Sequence, residues 1–389
     1  MSKILILGGG FAALAAAEAL AKNIGECDEI ILISKNDNFI FYPGLVPLVF
    51  GNLELGDIHF DLRKMLQRQK RIRFVLGEVA GIDAEERTVR ILEGPVEEIL
   101  DFDFLLIALG RKLETKSLPG FFNHAHHILG VAPALNLKHA IADFDAGTIV
   151  VGLCPESSLP IPVCETALGL AKKFRRKIEE GEISIKVVLP GTLEQAISGA
   201  GLFRDLETEF ERKGIHLILD FPIASVHERS ILSSYGSLID YDLLMLMPAF
   251  GGQGSLGSPD PFTDSEGFIR VDERMQVAGF DRVYAAGDIV LLAGPKFGYM
   301  AIRQGKIAAQ NILAELHGET PRAEYKHEIE WIVGERYTDP VFFHYGFWDE
   351  TLEDFDENAF FGMAKLIRDR YGKLKAAGEN GSMTATSVS

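Results

Sequence analysis

An α/β fold with two Rossmann-like dinucleotide-binding domains is what this 389-residue sequence predicts, and three observations predict it. An apolar run of strand type, Lys3-Ile4-Leu5-Ile6-Leu7, leads straight into Gly8-Gly9-Gly10-Phe11-Ala12-Ala13 and then into an alanine-rich stretch, Leu14 to Leu20, that favours helix. The same strand–turn–helix–strand layout begins again at Gly147-Thr148-Ile149-Val150-Val151-Gly152. Two further apolar runs end in small residues, at Ala108-Leu109-Gly110 and at Ala286-Gly287-Asp288, where backbone has to pass close to something.

The opening crossover carries a Gly-x-Gly-x-x-Ala fingerprint in the strand-to-helix context that gives such a motif meaning. Gly8 permits the tight turn, Gly10 lets a pyrophosphate approach the backbone, and Ala13 is small enough for the helix to pack against the strand. The helix N-terminus then offers free N–H groups and a positive dipole end to phosphate. The next strand, Glu29-Ile30-Ile31-Leu32-Ile33, ends in Ser34-Lys35-Asn36, where an acid ordinarily takes the ribose hydroxyls. Ser34 can still bond a ribose, more weakly than a carboxylate. The alternative reading is a helix packed behind a glycine turn, with no ligand.

Phe39 to Gly51 is apolar, aromatic and broken by Pro43, Gly44 and Pro47, which excludes a long helix or a central strand. Such a loop suits a flat apolar ring system; an ordinary buried loop is the other reading. Arg73 to Asp83, Thr88 to Leu92 and Phe102 to Arg111 read as strands. In the second crossover the strand is followed by Leu153-Cys154-Pro155-Glu156-Ser157-Ser158-Leu159-Pro160-Ile161-Pro162-Val163-Cys164, a helix is expected from Glu165 to about Glu179, and Ile185 to Leu189 forms the next strand. No Gly-x-Gly-x-x-Gly opens that helix and no acid ends that strand, so a nicotinamide dinucleotide lacks both its phosphate cradle and its ribose partner. Gly214 to Leu219, Tyr241 to Pro248 and Val283 to Asp288 are the remaining strand candidates, with Met300 to Leu316 as a closing helix. Asp288 is expected at the start of that helix, accepting from ribityl hydroxyls or serving as a simple cap.

Composition narrows the function. A net charge of −17 lacks the basic footprint of a nucleic-acid binder. It also disfavours attraction to anionic lipid over the whole surface, though a local basic patch would still serve. Three cysteines, Cys27, Cys154 and Cys164, make neither a disulfide scaffold nor a metal framework. No apolar stretch reaches the about 18 residues that span a bilayer. With the first strand starting at Lys3, no signal peptide is expected, and the reading is a cytoplasmic chain, free or peripheral on the membrane face.

The order of the glycine fingerprint, Ala108-Leu109-Gly110 and Ala286-Gly287-Asp288 resembles the flavin disulfide-reductase superfamily, a pyridine nucleotide-disulfide oxidoreductase group. A finer resemblance, over residues 1 to about 345, is to the sulfide:quinone oxidoreductases and flavocytochrome c sulfide dehydrogenases. It is carried by Leu32-Ile33-Ser34, Phe41-Tyr42-Pro43 through Gly51, Tyr241-Asp242-Leu243-Leu244-Met245 with Pro248, and Pro295-Lys296-Phe297-Gly298-Tyr299-Met300. The resemblance implies non-covalent FAD, with its pyrophosphate at Gly8, Gly9, Gly10, Phe11, Ala12 and Ala13. Ser34, Lys35, Pro43, Val79, Ala108, Leu109 and Gly110 would be further contacts, and Gly287 and Asp288 would hold ribityl and pyrophosphate groups. Lys296 would sit near the pyrimidine edge and stabilise charge that develops on reduction. It also implies domains at 1–112 and 241–325 for FAD, 113–240 for the altered second unit, 326–378 for a quinone- or membrane-facing segment, and 379–389 for a disordered tail.

Sulfide-oxidising relatives carry two redox cysteines beside the flavin, and this chain departs from them. Leu159 stands at one of those positions, and no cysteine follows Cys164. Two readings stand for Cys154 and Cys164. They form a local catalytic pair, with the Cys164 thiol acidified at a helix N-terminus, or they are buried fillers. His124-Ala125-His126-His127 looks like a metal tract but lies in an interdomain connection, and no metal is expected. Phe342 to Trp348 would line a quinone path or plug a core, and Phe360 to Lys375 would form an in-plane membrane helix, a core helix or a contact with a second copy of the chain. The functional expectation is an FAD-dependent oxidoreductase passing two electrons from a reduced sulfur compound to a quinone. An NAD(P)H:quinone oxidoreductase of the type II NADH dehydrogenase kind, and a flavin-carrying subunit without turnover of its own, are the alternatives.

Overall fold

The computed structural model describes residues 2–326, apart from 68–69, 114–117, 158, 197–202, 255, 257–260 and 293–295. The expectations for 327–389, including the aromatic run, the amphipathic stretch and the tail, lie outside the described residues.

The chain opens with β1 (Lys3–Leu7), α1 (Phe11–Asn23) and β2 (Glu29–Ser34), as the first crossover requires. It continues through β3 (Asn38–Ile40), α2 (Leu45–Val49), β4 (His59–Asp61), α3 (Leu62–Leu66) and β5 (Ile72–Leu76). A meander of β6 (Glu78–Asp83), β7 (Thr88–Glu93) and β8 (Val96–Asp101) then leads to β9 (Phe104–Ile107) and the short β10 (Lys112–Leu113). The second unit runs through α4 (Phe121–His124), α5 (Val131–Asp143), β11 (Gly147–Leu153), α6 (Pro160–Lys173), α7 (Arg175–Glu179), β12 (Ile183–Val188), α8 (Leu193–Ala196), α9 (Phe203–Arg212) and β13 (Ile215–Ile218). It ends in a second meander, β14 (Ile223–Val226), β15 (Ser230–Ser233) and β16 (Leu238–Asp240), followed by β17 (Leu243–Met247). The chain returns by β18 (Phe250–Gly251) to β19 (Val283–Ala285) and closes with α10 (Gly298–Leu316).

The two units share a four-strand parallel core, which β19 extends in the first. The first sheet has the order β19-β9-β1-β2-β5 and the second β13-β12-β11-β17, each parallel throughout. In both, an antiparallel meander precedes the strand that pairs with the first strand on its far side. Strands buried on both faces need near-continuous apolar runs, and KILIL, EIILIS, FLLI and LLMLM supply them. The register Leu5↔Ile31 on one side and Leu5↔Leu105 on the other centres β1 in its sheet. Because β17 pairs with β11, residues 243–247 belong to the second sheet. The second unit therefore runs past the expected boundary at 240, to Met247.

Alternation along the strands divides the core. Ile4 and Ile6 join Ile149 and Val151 in one cluster with α1, α2, α5, α6 and α10. Leu5 and Leu7 pack under the first meander, and Val150 under the second. The helix-bearing faces of both sheets thus share a single apolar core, and the meanders cover the outer faces.

The loop from Phe39 to Gly51 helps to join the units. It has no long helix: β3, a 3₁₀ turn at Tyr42–Gly44 and the five-residue α2 make it up. Phe50 reaches α6 at Gly169, where a methyl group would stand 2.5 Å from the Phe50 ring. One of the close backbone contacts in the first unit lies between α1 and α10. A Cβ on Gly305 would sit 2.2 Å from the Ala12 carbonyl oxygen. Gly→Ala inside a helix ordinarily stabilises by about 0.5–1 kcal/mol. Here the obstruction is backbone, so Gly305→Ala is expected to cost stability, by roughly 1–3 kcal/mol as overpacking does. Urea denaturation followed by far-UV circular dichroism measures the sign directly.

Candidate functional site

The glycine turn is shaped by its neighbours. Gly8 has φ +121°, and a Cβ there would lie 2.2 Å from the Ala108 carbonyl oxygen, so only glycine lets β1 and β9 end side by side. A Cβ on Gly9 would stand 2.7 Å from Ser34 Oγ. Around Gly10, the N-cap of α1, no described residue beyond its chain neighbours comes within 4 Å of where a Cβ would be. No side chain caps α1, and its first turn holds no acid. The positive end of the helix therefore faces room rather than protein, an arrangement that fits a diphosphate.

The other expected contacts lie on several elements. The Phe11 ring is turned away, 4.9 Å from Phe39 and 6.0 Å from Phe41 by centroid, so its backbone is the part left for a ligand. Ala12 packs on Gly287 and Gly305, and Ala13 is fully buried. Ser34, 7% exposed, ends β2 with its Oγ accepting the Asn36 N–H at 3.3 Å, while Lys35 is exposed. Val79 is half-buried on β6, and Pro43 stands in the 3₁₀ turn.

The strand ends of β9 and β19 bring a second set of residues together. The Leu109 carbonyl accepts from Gln253 Nε2 at 2.7 Å, and Gly110 takes φ +71°. Gly287 takes φ +85° and donates its N–H to Gln304 Oε1 at 2.7 Å. Asp288 neither starts nor caps the last helix, which begins at Gly298 behind the N-cap Phe297. It is paired instead with Arg111, Nε to Oδ2 3.1 Å. Asp288, Lys296, Phe297, Met300 and Gln304 line a cleft beside it. Lys296 Nζ donates to the Val290 carbonyl at 2.7 Å. Burial pushes its ammonium down to about 8, with nearby Arg111 adding to the shift and Asp288 opposing it.

Sequence reasoning missed Arg111 and Gln304. A charged residue directly after the strand-end glycine was the available signal for the first. Gln304 stands between Arg303 and the Gly305-Lys306 pair on α10, one polar residue among several, and gives none.

The cysteines are placed otherwise than expected. With Pro160 at its first position, α6 starts five residues before Glu165, so Cys164 lies inside the helix and not at its N-terminus. It is fully buried, and burial, with Glu165 contributing, pushes its thiol up to about 12 rather than down. Cys154 is 3% exposed, and burial likewise raises it to about 12. Cys164 belongs to the shared helix-side core and Cys154 to the core under the second meander. The second sheet lies between these cores, and both thiols are free, so the expected local pair is not formed.

The second crossover keeps its fold without the turn chemistry of the first. Gly152 sits within β11, where a Cβ would press on the Val188 carbonyl at 3.0 Å. Pro160 and Pro162 remove two of the N–H groups that the first turn of α6 would present. After β12, Thr192 and Gln195 cap each other: the Thr192 N–H donates to Oε1, and the Gln195 N–H to the threonine hydroxyl. His126 runs beside β17, its N–H bonded to the Leu244 carbonyl, and the His127 ring stacks on Phe121 at 5.6 Å. No helix among the described residues is long and apolar enough to cross a membrane.

Residues 2–152 match the family model for pyridine nucleotide-disulphide oxidoreductases. The chain is 27% identical over 348 residues to a type II NADH:quinone oxidoreductase of Staphylococcus aureus, covering 83% of this chain and 85% of that one. Among solved structures, the sulfide:quinone oxidoreductase of Aquifex aeolicus superposes with a TM-score of 0.75 at 22% identity, over 82% of this chain and 78% of that chain. NDH2 of Plasmodium falciparum in complex with NADH gives 0.69 at 15% identity, over 97% and 99%. The structural likenesses establish the fold. The family match, the Staphylococcus aureus relative and the glycine turn make this chain an FAD-dependent oxidoreductase.

Two outcomes follow from the electrostatics. A lysine held below its ordinary value near 10.5 binds fewer protons folded than unfolded between pH 8 and 10.5, so its contribution to stability rises with pH across that window. Urea denaturation from pH 7 to 10 should show wild type gaining on Lys296→Met. A constant difference would place the ammonium in water. For the thiols, a native chain should release one equivalent rapidly to a disulfide reagent, from exposed Cys27, and three after unfolding.

Proposed function

We propose that this chain takes electrons from a donor other than NAD(P)H, a reduced sulfur compound of the sulfide class, and passes them through FAD to a quinone. The observation that carries the donor half is the second crossover. Its turn has lost N–H groups to Pro160 and Pro162, and no carboxylate ends β12, so a pyridine dinucleotide meets neither its diphosphate cradle nor its ribose partner. The quinone half is supported by the Staphylococcus aureus and Aquifex aeolicus proteins, whose names share that acceptor.

When bound, FAD supplies a centre that takes two electrons from one substrate and gives them to the next. The chain's own residues would do the rest. The N–H groups that open α1, from Gly10 to Ala13, would hold the diphosphate, and Ser34 the ribose, with Lys35 and Val79 beside it. Gly8 and Gly9 would let the backbones close behind the ligand. Pro43, Ala108, Leu109 and Gly110 would frame the ring system, and Gly287 and Asp288 the ribityl chain. Lys296 would orient toward developing negative charge, its depressed pKa leaving it able to give up a proton near neutral pH. Buried on opposite sides of a sheet, Cys154 and Cys164 suit packing better than sulfur transfer, so neither is given a step.

A second reading, NADH as donor, is favoured by the Staphylococcus aureus relative's name. Anaerobic mixing separates the two. Sulfide is expected to bleach the flavin absorbance with a soluble quinone restoring it, and NADH at equal concentration to act at least tenfold more slowly. Fast bleaching by NADH with none by sulfide would replace the first reading by the second.

A further inference from the structure

Arg111 has no counterpart among the residues that the glycine turn and strand ends call for, yet it is built into the site. It follows Gly110 at the end of the first sheet, and its side chain is only 11% exposed. Its guanidinium lies 3.8 Å from the centroid of the Phe250 ring. That platform is fixed, because β18 pairs with β10 at the next residue, Lys112↔Gly251. From there Nε reaches Asp288 Oδ2 at 3.1 Å. Asp288 follows the left-handed Gly287, whose own N–H is held by Gln304. The backbone before the carboxylate and one of its oxygens are therefore both pinned.

A planar guanidinium stacked on an aromatic face loses little freedom when it engages a carboxylate, and it cannot be deprotonated in a protein. A lysine or a neutral residue would not hold the same orientation. We propose that Arg111 is a positioning residue that acts through Asp288, fixing its carboxylate so that one edge accepts hydroxyls of a bound flavin cofactor's ribityl chain. Arg111 thereby links the β10–β18 pair, where the chain passes between the units, to the Asp288 carboxylate. The inference rests on FAD binding and is independent of which donor reduces it.

A double-mutant cycle on the full chain, stripped of flavin and titrated with FAD by flavin fluorescence quenching, tests this. Arg111→Gln and Asp288→Asn should each weaken FAD binding at least tenfold, and the double variant should be no more than threefold worse than the weaker single. Costs that multiply would mean that the two residues act separately, and would overturn the proposal. Arg111→Lys and Arg111→Met divide charge from packing. Lysine should retain FAD affinity better than methionine by at least fivefold. If methionine, which keeps the apolar contact with Phe250, does as well as wild type, Arg111 is a plug and the proposal fails. Should the neutral variants not fold, Arg111→Lys decides alone: FAD affinity equal to wild type would show that the fork geometry is dispensable and end the argument, and a threefold to tenfold loss is expected. The donor assay with sulfide and NADH can fail without touching any of these outcomes.

Discussion

The site depends on how closely three backbones approach one another at the glycine turn. Gly8 lets the end of β1 lie against the Ala108 carbonyl, Gly305 lets α10 rest on the carbonyl of Ala12, and Gly287 brings the end of β19 onto the Ala12 methyl. The first two approaches leave no room for a side chain and the third is tight for one, and together they tie three parts of the chain at the start of α1. Residues remote in sequence, among them Gly10, Ser34, Asp288 and Lys296, are placed relative to one another by these contacts and not by hydrogen bonds between them. Small residues on α1 (Ala12, Ala13, Ala15, Ala16 and Ala17, all buried) are therefore the means by which the last helix can dock at all.

Comparison of the two units separates what a fold needs from what a ligand needs. Both share a four-strand parallel order, which β19 extends only in the first, and both carry a three-stranded antiparallel meander. The first keeps an open, uncapped helix start with glycines before it. The second has prolines at that start and a threonine–glutamine cap where a ribose acceptor would be. Neither change disturbs sheet packing, because the apolar alternation in Ile149, Val150 and Val151 is intact. The two units thus differ in the chemistry of the turn and not in the packing of the sheet.

Much of this was legible in the sequence, for reasons specific to each element. The first crossover reads directly because strand, turn and helix are local and their signals agree. β8 is hard to read because Val96-Glu97-Glu98-Ile99-Leu100-Asp101 is exposed apart from Leu100 and shows no alternation of buried and exposed residues. β17 was read as a strand but assigned to the wrong unit, because an apolar run does not name its partner. The start of α6 was placed too late: prolines suggested a turn, where Pro160 in fact opens the helix, and the expected acidity of Cys164 went with that error. Arg111 and Asp288 could not be joined from sequence, since only the folded sheet puts the ends of β9 and β19 next to each other.

The core shared by the helix faces of both sheets, with Phe50 seated at Gly169, makes each unit the inner wall of the other. Taking the second unit away would lay bare the apolar underside of the first. It is thus needed as a buttress, whether or not its own helix start holds a ligand.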